Sequence, residues 1–135
     1  MNALNRILLC LALALPAEAC AAKMHADPVQ WTVGDKAFEG VLVYDDAGAE
    51  KRPGLVMVPD WMGMTEGAIA KAKHIAGDDY VVLVADVWGK GTQPKDSGEA
   101  GQMAGALRDD LPELRARINE ALSVLRTNAA GAPLD

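Results

Sequence analysis

Hydrolysis by a side-chain nucleophile needs a Ser or Cys on a glycine-flanked turn, followed in space by a His and a carboxylate that orient and deprotonate it. This sequence holds few such groups: the cysteines are Cys10 and Cys20, the histidines His25 and His74, and the serines Ser97 and Ser123. Neither serine has the flanking glycines of a nucleophile elbow, and Ser123 falls inside a helical pattern. Two histidines with no cysteine nearby make no zinc pattern. Gly98 to Gly105 is not a phosphate loop, because no Lys-Ser/Thr follows it. Asp45-Asp46 and Asp78-Asp79 read as solvated turns, and the clustered Met57, Met62 and Met64 read as core filler.

The strands are legible. Val29, Trp31 and Val33 alternate with polar residues after a mobile start that includes His25. Gly34-Asp35-Lys36 then makes a turn, and Phe38 to Tyr44 completes a β-hairpin. Asp45 to Arg52 is a polar loop that Pro53-Gly54 closes. Leu55 to Val58 is an uninterrupted apolar run, which predicts a strand covered on both faces in a parallel sheet. Thr65 caps a helix running to Ala76, with Ile69, Ala72 and Ala76 on one side and Gly77 ending it. Tyr80 to Ala85 is the next buried strand, so the unit is strand, helix, parallel strand. A helix over Ser97 to Arg108 follows the glycine-rich excursion from Gly89. The last helix opens on a capping box of Asp110 and Glu113, and carries Leu111, Leu114, Ile118, Leu122 and Leu125 at helical spacing. The loop from Asn128 to Pro133 ought to feed another strand, and the expected architecture is an α/β domain that is incomplete at its C-terminus.

Residues 1–22 predict a secretory signal peptide: Asn5-Arg6, an apolar run from Ile7 to Leu15, Pro16, then small residues with Ala-x-Ala cleavage patterns. The run is shorter than the roughly 20 residues that span a bilayer. Cys20 raises lipid attachment, which Glu18 at the second place before it and the lack of Leu at the third fit poorly. Residues 23–135 then form the domain, exported to the periplasm or the medium, with at most one cysteine and no internal disulfide. Its net charge stays at −6, since the leader removes one charge of each sign. That excludes a nucleic-acid binder, which needs a basic face to neutralise phosphates.

Three stretches resemble the dienelactone hydrolase family of the α/β-hydrolase superfamily. Pro53-Gly54-Leu55-Val56-Met57-Val58-Pro59-Asp60-Trp61-Met62-Gly63-Met64 is similar to the family's apolar strand and the acidic, bulky, glycine-containing loop after it. Ala76 to Gly89 is similar to the next strand and its Asp-aliphatic-aromatic loop, and Asp110 to Arg126 to the helix preceding the nucleophile strand. The resemblance implies a three-layer, mostly parallel sheet with an N-terminal β-hairpin, of which this is the amino-terminal portion. It implies an oxyanion-hole donor in the backbone N–H of Trp61, against the alternative that Trp61 only packs on the sheet. Asp60 matches the acidic residue beside the nucleophile, a glutamate in the family and one methylene longer; otherwise it caps local N–H groups. Lys90 stands where the family can carry a basic residue that contacts a substrate carboxylate, or else is a solvated lysine. Asp86 is expected to order its loop by accepting backbone N–H bonds.

The implied function is hydrolysis of small carboxylic esters or lactones through a Cys or Ser nucleophile, with no cofactor. The nucleophile, Asp and His that should follow in chain order are absent from these residues, so the chain alone is expected to be inactive. The alternative is a complete, non-catalytic exported α/β binding module or degenerate paralogue. Cooperative unfolding of the isolated chain would favour that alternative.

Overall fold

A computed structural model of the chain describes residues 23–46, 51–127 and 134. The expected signal segment, with Cys10 and Cys20, and the expected loop from 128 to 133 lie outside the described residues. Among them no helix is long and apolar enough to cross a membrane.

Strands β1 (Met24–Val33) and β2 (Lys36–Asp45) pair antiparallel over their whole length, from Met24 opposite Asp45 to Val33 opposite Lys36. Gly34 turns the chain at a φ of 56°, a left-handed conformation open to a residue without Cβ. The hairpin begins earlier than its alternating residues suggest. His25, expected in a mobile start, stands in β1 opposite Tyr44, and its ring stacks on the tyrosine at 5.0 Å. Its Nε2 lies 2.9 Å from Asp46 Oδ2, while the Lys23 N–H donates to Asp46 Oδ1, so the open end of the hairpin is clasped. Pro28 is accommodated because β1 is an edge strand, where a missing N–H breaks no ladder on the outer side.

Strand β3 (Gly54–Met57), helix α1 (Glu66–Ala76) and strand β4 (Val81–Val84) form the expected unit, with β3 and β4 parallel. The sheet order is β1-β2-β4-β3, and β2 runs antiparallel to β4. The described sheet is therefore mixed, parallel between β3 and β4 and antiparallel through the hairpin. All of β4 is buried because its side chains alternate between two cores. Val81 and Leu83 join Phe38, Leu42 and Leu125 under helix α3 (Leu111–Thr127), whereas Val82 and Val84 join Val43, Ala68, Ala72 and Ala76 under α1. Alanines one turn apart let α1 lie close on the sheet. Helix α2 (Ser97–Asp109) packs on α3. Thr65 caps α1 by accepting the Ala68 N–H at 3.1 Å, and Gly77 at a φ of 47° ends it, both as the sequence predicts.

Several expectations need correction. Leu55 and Val58 are exposed at 37% and 46%, because β3 is the outermost described strand and lacks the double cover its apolar run implied. On that outer side Arg52 makes a parallel bridge to Leu134. In α3 the buried residues are Ala121, Val124 and Leu125, whereas Leu111 and Leu122 face outward. Arg117, one turn before Ala121, lies largely buried on the same helix and reaches the Val87 carbonyl. The capping box of α3 is half formed: Asp110 accepts the Glu113 N–H at 3.1 Å, but the Glu113 carboxylate is occupied by Arg117 at 2.8 Å. Asp45 is no solvated turn residue. It is buried, and the buried Arg52 guanidinium reaches its carboxylate at 3.1 Å, its carbonyl at 2.6 Å and the Asp78 carbonyl at 3.5 Å. This strap ties the end of β2 to the start of β3 and to the turn before β4.

Candidate active site

The loop after β3 is a tight turn whose shape its own polar groups set. The Asp60 carbonyl accepts the Gly63 N–H at 2.9 Å, and its Oδ1 accepts the Met62 N–H at 2.9 Å. Gly63 has a φ of 80°, and a Cβ there would come within 2.8 Å of Trp88 Cδ1. Glycine is thus required twice over, by backbone conformation and by the ring packed against it. The Trp88 indole N–H donates to the Trp61 carbonyl at 3.2 Å, pinning the loop after β3 to the loop after β4.

That second loop hangs on Asp86, which is 4% exposed at the end of β4. Its Oδ1 accepts the N–H groups of Trp88 at 2.8 Å and Gly89 at 3.1 Å, while Oδ2 lies 3.1 Å from the Gly89 nitrogen and 3.4 Å from that of Glu39. The expected ordering role of Asp86 is what this geometry provides. Arg117 adds a bond from α3 to the Val87 carbonyl. A carboxylate buried among backbone donors, a guanidinium on a carbonyl and an indole on a carbonyl therefore fix both loops.

Between them lies an open cleft of about 330 Å³, walled by Val58, Trp61, Trp88 and Leu107, with Asp60 and Arg108 as its charged members. Trp61 is 50% exposed, and its backbone N–H meets no hydrogen-bond acceptor among the described residues. Asp60 shares the cleft, with its carboxylate engaged by the Met62 N–H.

Lys90 is elsewhere. Its N–H donates to the Ala37 carbonyl at 2.8 Å, and its Nζ pairs with Glu39 Oε2 at 3.1 Å. Both side chains are more than a third exposed, so the pair contributes little to stability. Lys90 borders a separate cavity of about 200 Å³ with Glu39, Asp86 and Gln93, which neither Asp60 nor Trp61 lines. The structure thus brings Trp61 and Asp60 together and leaves Lys90 apart. His74 sits exposed in the last turn of α1. The titration shifts belong to the hairpin's open end. The His25 hydrogen bond holds the Asp46 carboxyl below its ordinary value, and burial, then the bond to Asp27, raises the Tyr44 hydroxyl above its own.

Arg108, Trp88 and Arg117 are site or support residues that sequence reasoning did not single out. For Arg108 the only local signal is a basic residue in the last turn of α2, which equally suits the helix dipole. Nothing in the sequence announces that this turn faces Trp61.

Comparison with known proteins agrees with this architecture. The model of the dienelactone hydrolase family matches residues 38–132. A solved structure named m3DLH is 30% identical, with a TM-score of 0.72, covering 77% of this chain and 43% of that one. A dienelactone hydrolase-like promiscuous phosphotriesterase from metagenomic libraries is 26% identical, with a TM-score of 0.73, covering 83% of this chain and 45% of its own. The chain spans less than half the length of either structure. No curated protein matches it in sequence. The parallel β3–α1–β4 unit, the Asp-ordered loop and the match over residues 38–132 lead to one assignment: the chain belongs to the dienelactone hydrolase family.

Proposed function

We propose that the full-length protein is an exported hydrolase of small carboxylic esters or lactones that works by nucleophilic catalysis, with the Trp61 N–H as one of two oxyanion donors. The observation that carries this reading is that Trp61, whose N–H is unpaired among the described residues, lines the cleft that Asp60 also lines. The Arg52–Leu134 bridge supports it, because a strand continuing parallel to β3 from that register would come level with Val58 after about six residues. A turn just beyond it would carry a Cys or Ser to the cleft. This sequence contains no such glycine-flanked nucleophile.

In the proposed reaction the nucleophile adds to the substrate carbonyl and the oxyanion forms against the Trp61 N–H and the N–H following the nucleophile. The intermediate then collapses, expelling the alcohol or opening the lactone. Water releases the acid from the acyl-enzyme. Asp60, shorter than the family's glutamate, stands beside the nucleophile and holds its own loop through the Met62 N–H.

The test uses 4-nitrophenyl acetate and dihydrocoumarin with the full-length protein proposed here and with this chain. The longer protein should turn both over, and this chain should match buffer. Trp61→Pro, which deletes the N–H, should lower kcat about 10²–10³-fold, whereas Trp61→Ala, which keeps it, should cost far less. Equal losses in the two variants, or activity in the 135-residue chain, would overturn the proposal. Export is checked by amino-terminal sequencing of secreted protein, which should begin near Lys23.

A further inference from the structure

We propose that Trp88 and Gln93, two side chains of the loop after β4, are positioning residues that lock the turn carrying Trp61 in one of its two backbone forms. The inference rests on reading the Trp61 N–H as an oxyanion donor, and goes beyond that reading by naming what holds the donor's turn in place.

Asp60 to Gly63 is a β-turn closed by the Gly63 N–H on the Asp60 carbonyl at 2.9 Å. The peptide between Asp60 and Trp61 is planar and trans, so the Trp61 N–H points away from that closing bond. Turns of this kind have two common forms, types I and II, which differ by turning over the central peptide, here the one between Trp61 and Met62. Type II needs a positive φ at its third residue, Met62, and among the described residues only glycines have one, so the turn is not in that form. Turning the peptide over would exchange the directions of the Trp61 carbonyl and the Met62 N–H. An acceptor would then stand where a donor stands now, next to the N–H that is to meet negative charge.

Three side-chain contacts hold the observed form. Two act on the central peptide: the Trp88 indole N–H donates to the Trp61 carbonyl at 3.2 Å, and Asp60 Oδ1 accepts the Met62 N–H at 2.9 Å. The third acts on the next peptide, where Gln93 Nε2 donates to the Met62 carbonyl at 3.2 Å. Two successive carbonyls of the turn are therefore gripped from one loop. That loop is itself fixed: Asp86 accepts the N–H groups of Trp88 and Gly89, the Lys90 N–H donates to the Ala37 carbonyl at 2.8 Å, and the Thr92 N–H to the Gly89 carbonyl at 2.8 Å. A tie that merely joined two loops could act on any group of the turn. These bonds fall on the peptide whose orientation separates the two forms and on its neighbour.

The test compares kcat and KM of the full-length protein for 4-nitrophenyl acetate with those of three variants. Gln93 is exposed and does not line the cleft, so Gln93→Glu, equal in shape but with no donor for the carbonyl, weakens the grip with the fold intact. It should lower kcat about threefold, with KM and the thermal midpoint as in the parent. Gln93→Lys, which returns a donor, should recover most of that loss. Trp88→Phe, which keeps a ring and removes the N–H, should lower kcat about tenfold with KM within about twofold. An unchanged kcat in either Gln93→Glu or Trp88→Phe, a loss that lies in KM or follows the thermal midpoint, or Gln93→Lys as slow as Gln93→Glu would overturn the proposal. If these variants match the parent while Trp61→Pro is slow, the grip is refuted and the hydrolytic reading stands. A full-length protein that hydrolyses no ester refutes both.

Discussion

Replacing Asp86 by alanine should destabilise the protein by about 3 kcal/mol, because the buried carboxylate is the acceptor for backbone donors that have no substitute nearby. The Trp88 and Gly89 N–H groups, at 2.8 and 3.1 Å, are well-made charge-assisted bonds worth about 1.5 kcal/mol each, while the Glu39 contact at 3.4 Å is long and adds little. Asp86→Asn keeps one acceptor oxygen but turns an amide toward the remaining donors, so about half the loss is expected. Equilibrium urea unfolding, followed by tryptophan fluorescence, reads the effect as a fall in midpoint of about 1–3 M for the alanine variant. The same change frees the Trp88 backbone, and with it the indole that holds the Trp61 carbonyl. Ligand binding in the cleft should therefore weaken before the protein unfolds. An unfolding free energy for Asp86→Ala within about 0.5 kcal/mol of the parent, the range of an ordinary surface change, would refute the view that this carboxylate organises the loop.

Other perturbations test other joints. Gly63→Ala should cost about 1–2 kcal/mol and disturb Trp88, since it sets a Cβ 2.8 Å from the ring in a left-handed residue; a thermal midpoint unchanged from the parent would contradict this. Arg52→Met should cost about 3 kcal/mol by cutting the buried strap to Asp45 and Asp78, measured by the same urea titration. Because His25 lowers the Asp46 pKa, this carboxylate's contribution to stability is intact above its ordinary value of 3.8 and disappears as the pH falls through the lower folded value. His25→Gln should remove that part of the acid dependence. Tyr44 has the opposite sign: its raised pKa gives stability that is complete below 10.0 and lost as the pH rises through the higher folded value, visible as late tyrosinate absorbance at the alkaline end.

Much of the scaffold was legible because it is written in local pattern. The four consecutive aliphatic residues of β4 can be buried on both faces only inside a layered domain, and they are. Thr65 and Gly77 bracket α1 because a hydroxyl at the N-cap and a residue tolerant of positive φ at the other end are local requirements. The motif from Pro53 to Met64 likewise placed Asp60 and Trp61 on one turn at the end of β3.

The misreadings share a cause, which is that burial of a side chain depends on what another segment brings to it. Leu55 looks like core until β3 proves to be the outermost described strand, and Asp45 looks like a solvated turn until Arg52 folds back upon it. Whether Lys90 is paired was equally out of reach of the linear order, since Glu39 approaches it from the hairpin. By itself, then, the sequence determined the strands, the helix α1 with its caps, and the turn bearing Asp60 and Trp61, all set by residues within a few positions of one another. Only the tertiary structure decided which charges are paired and which face the cleft, because ion pairing and exposure depend on distances between elements that the linear order does not contain.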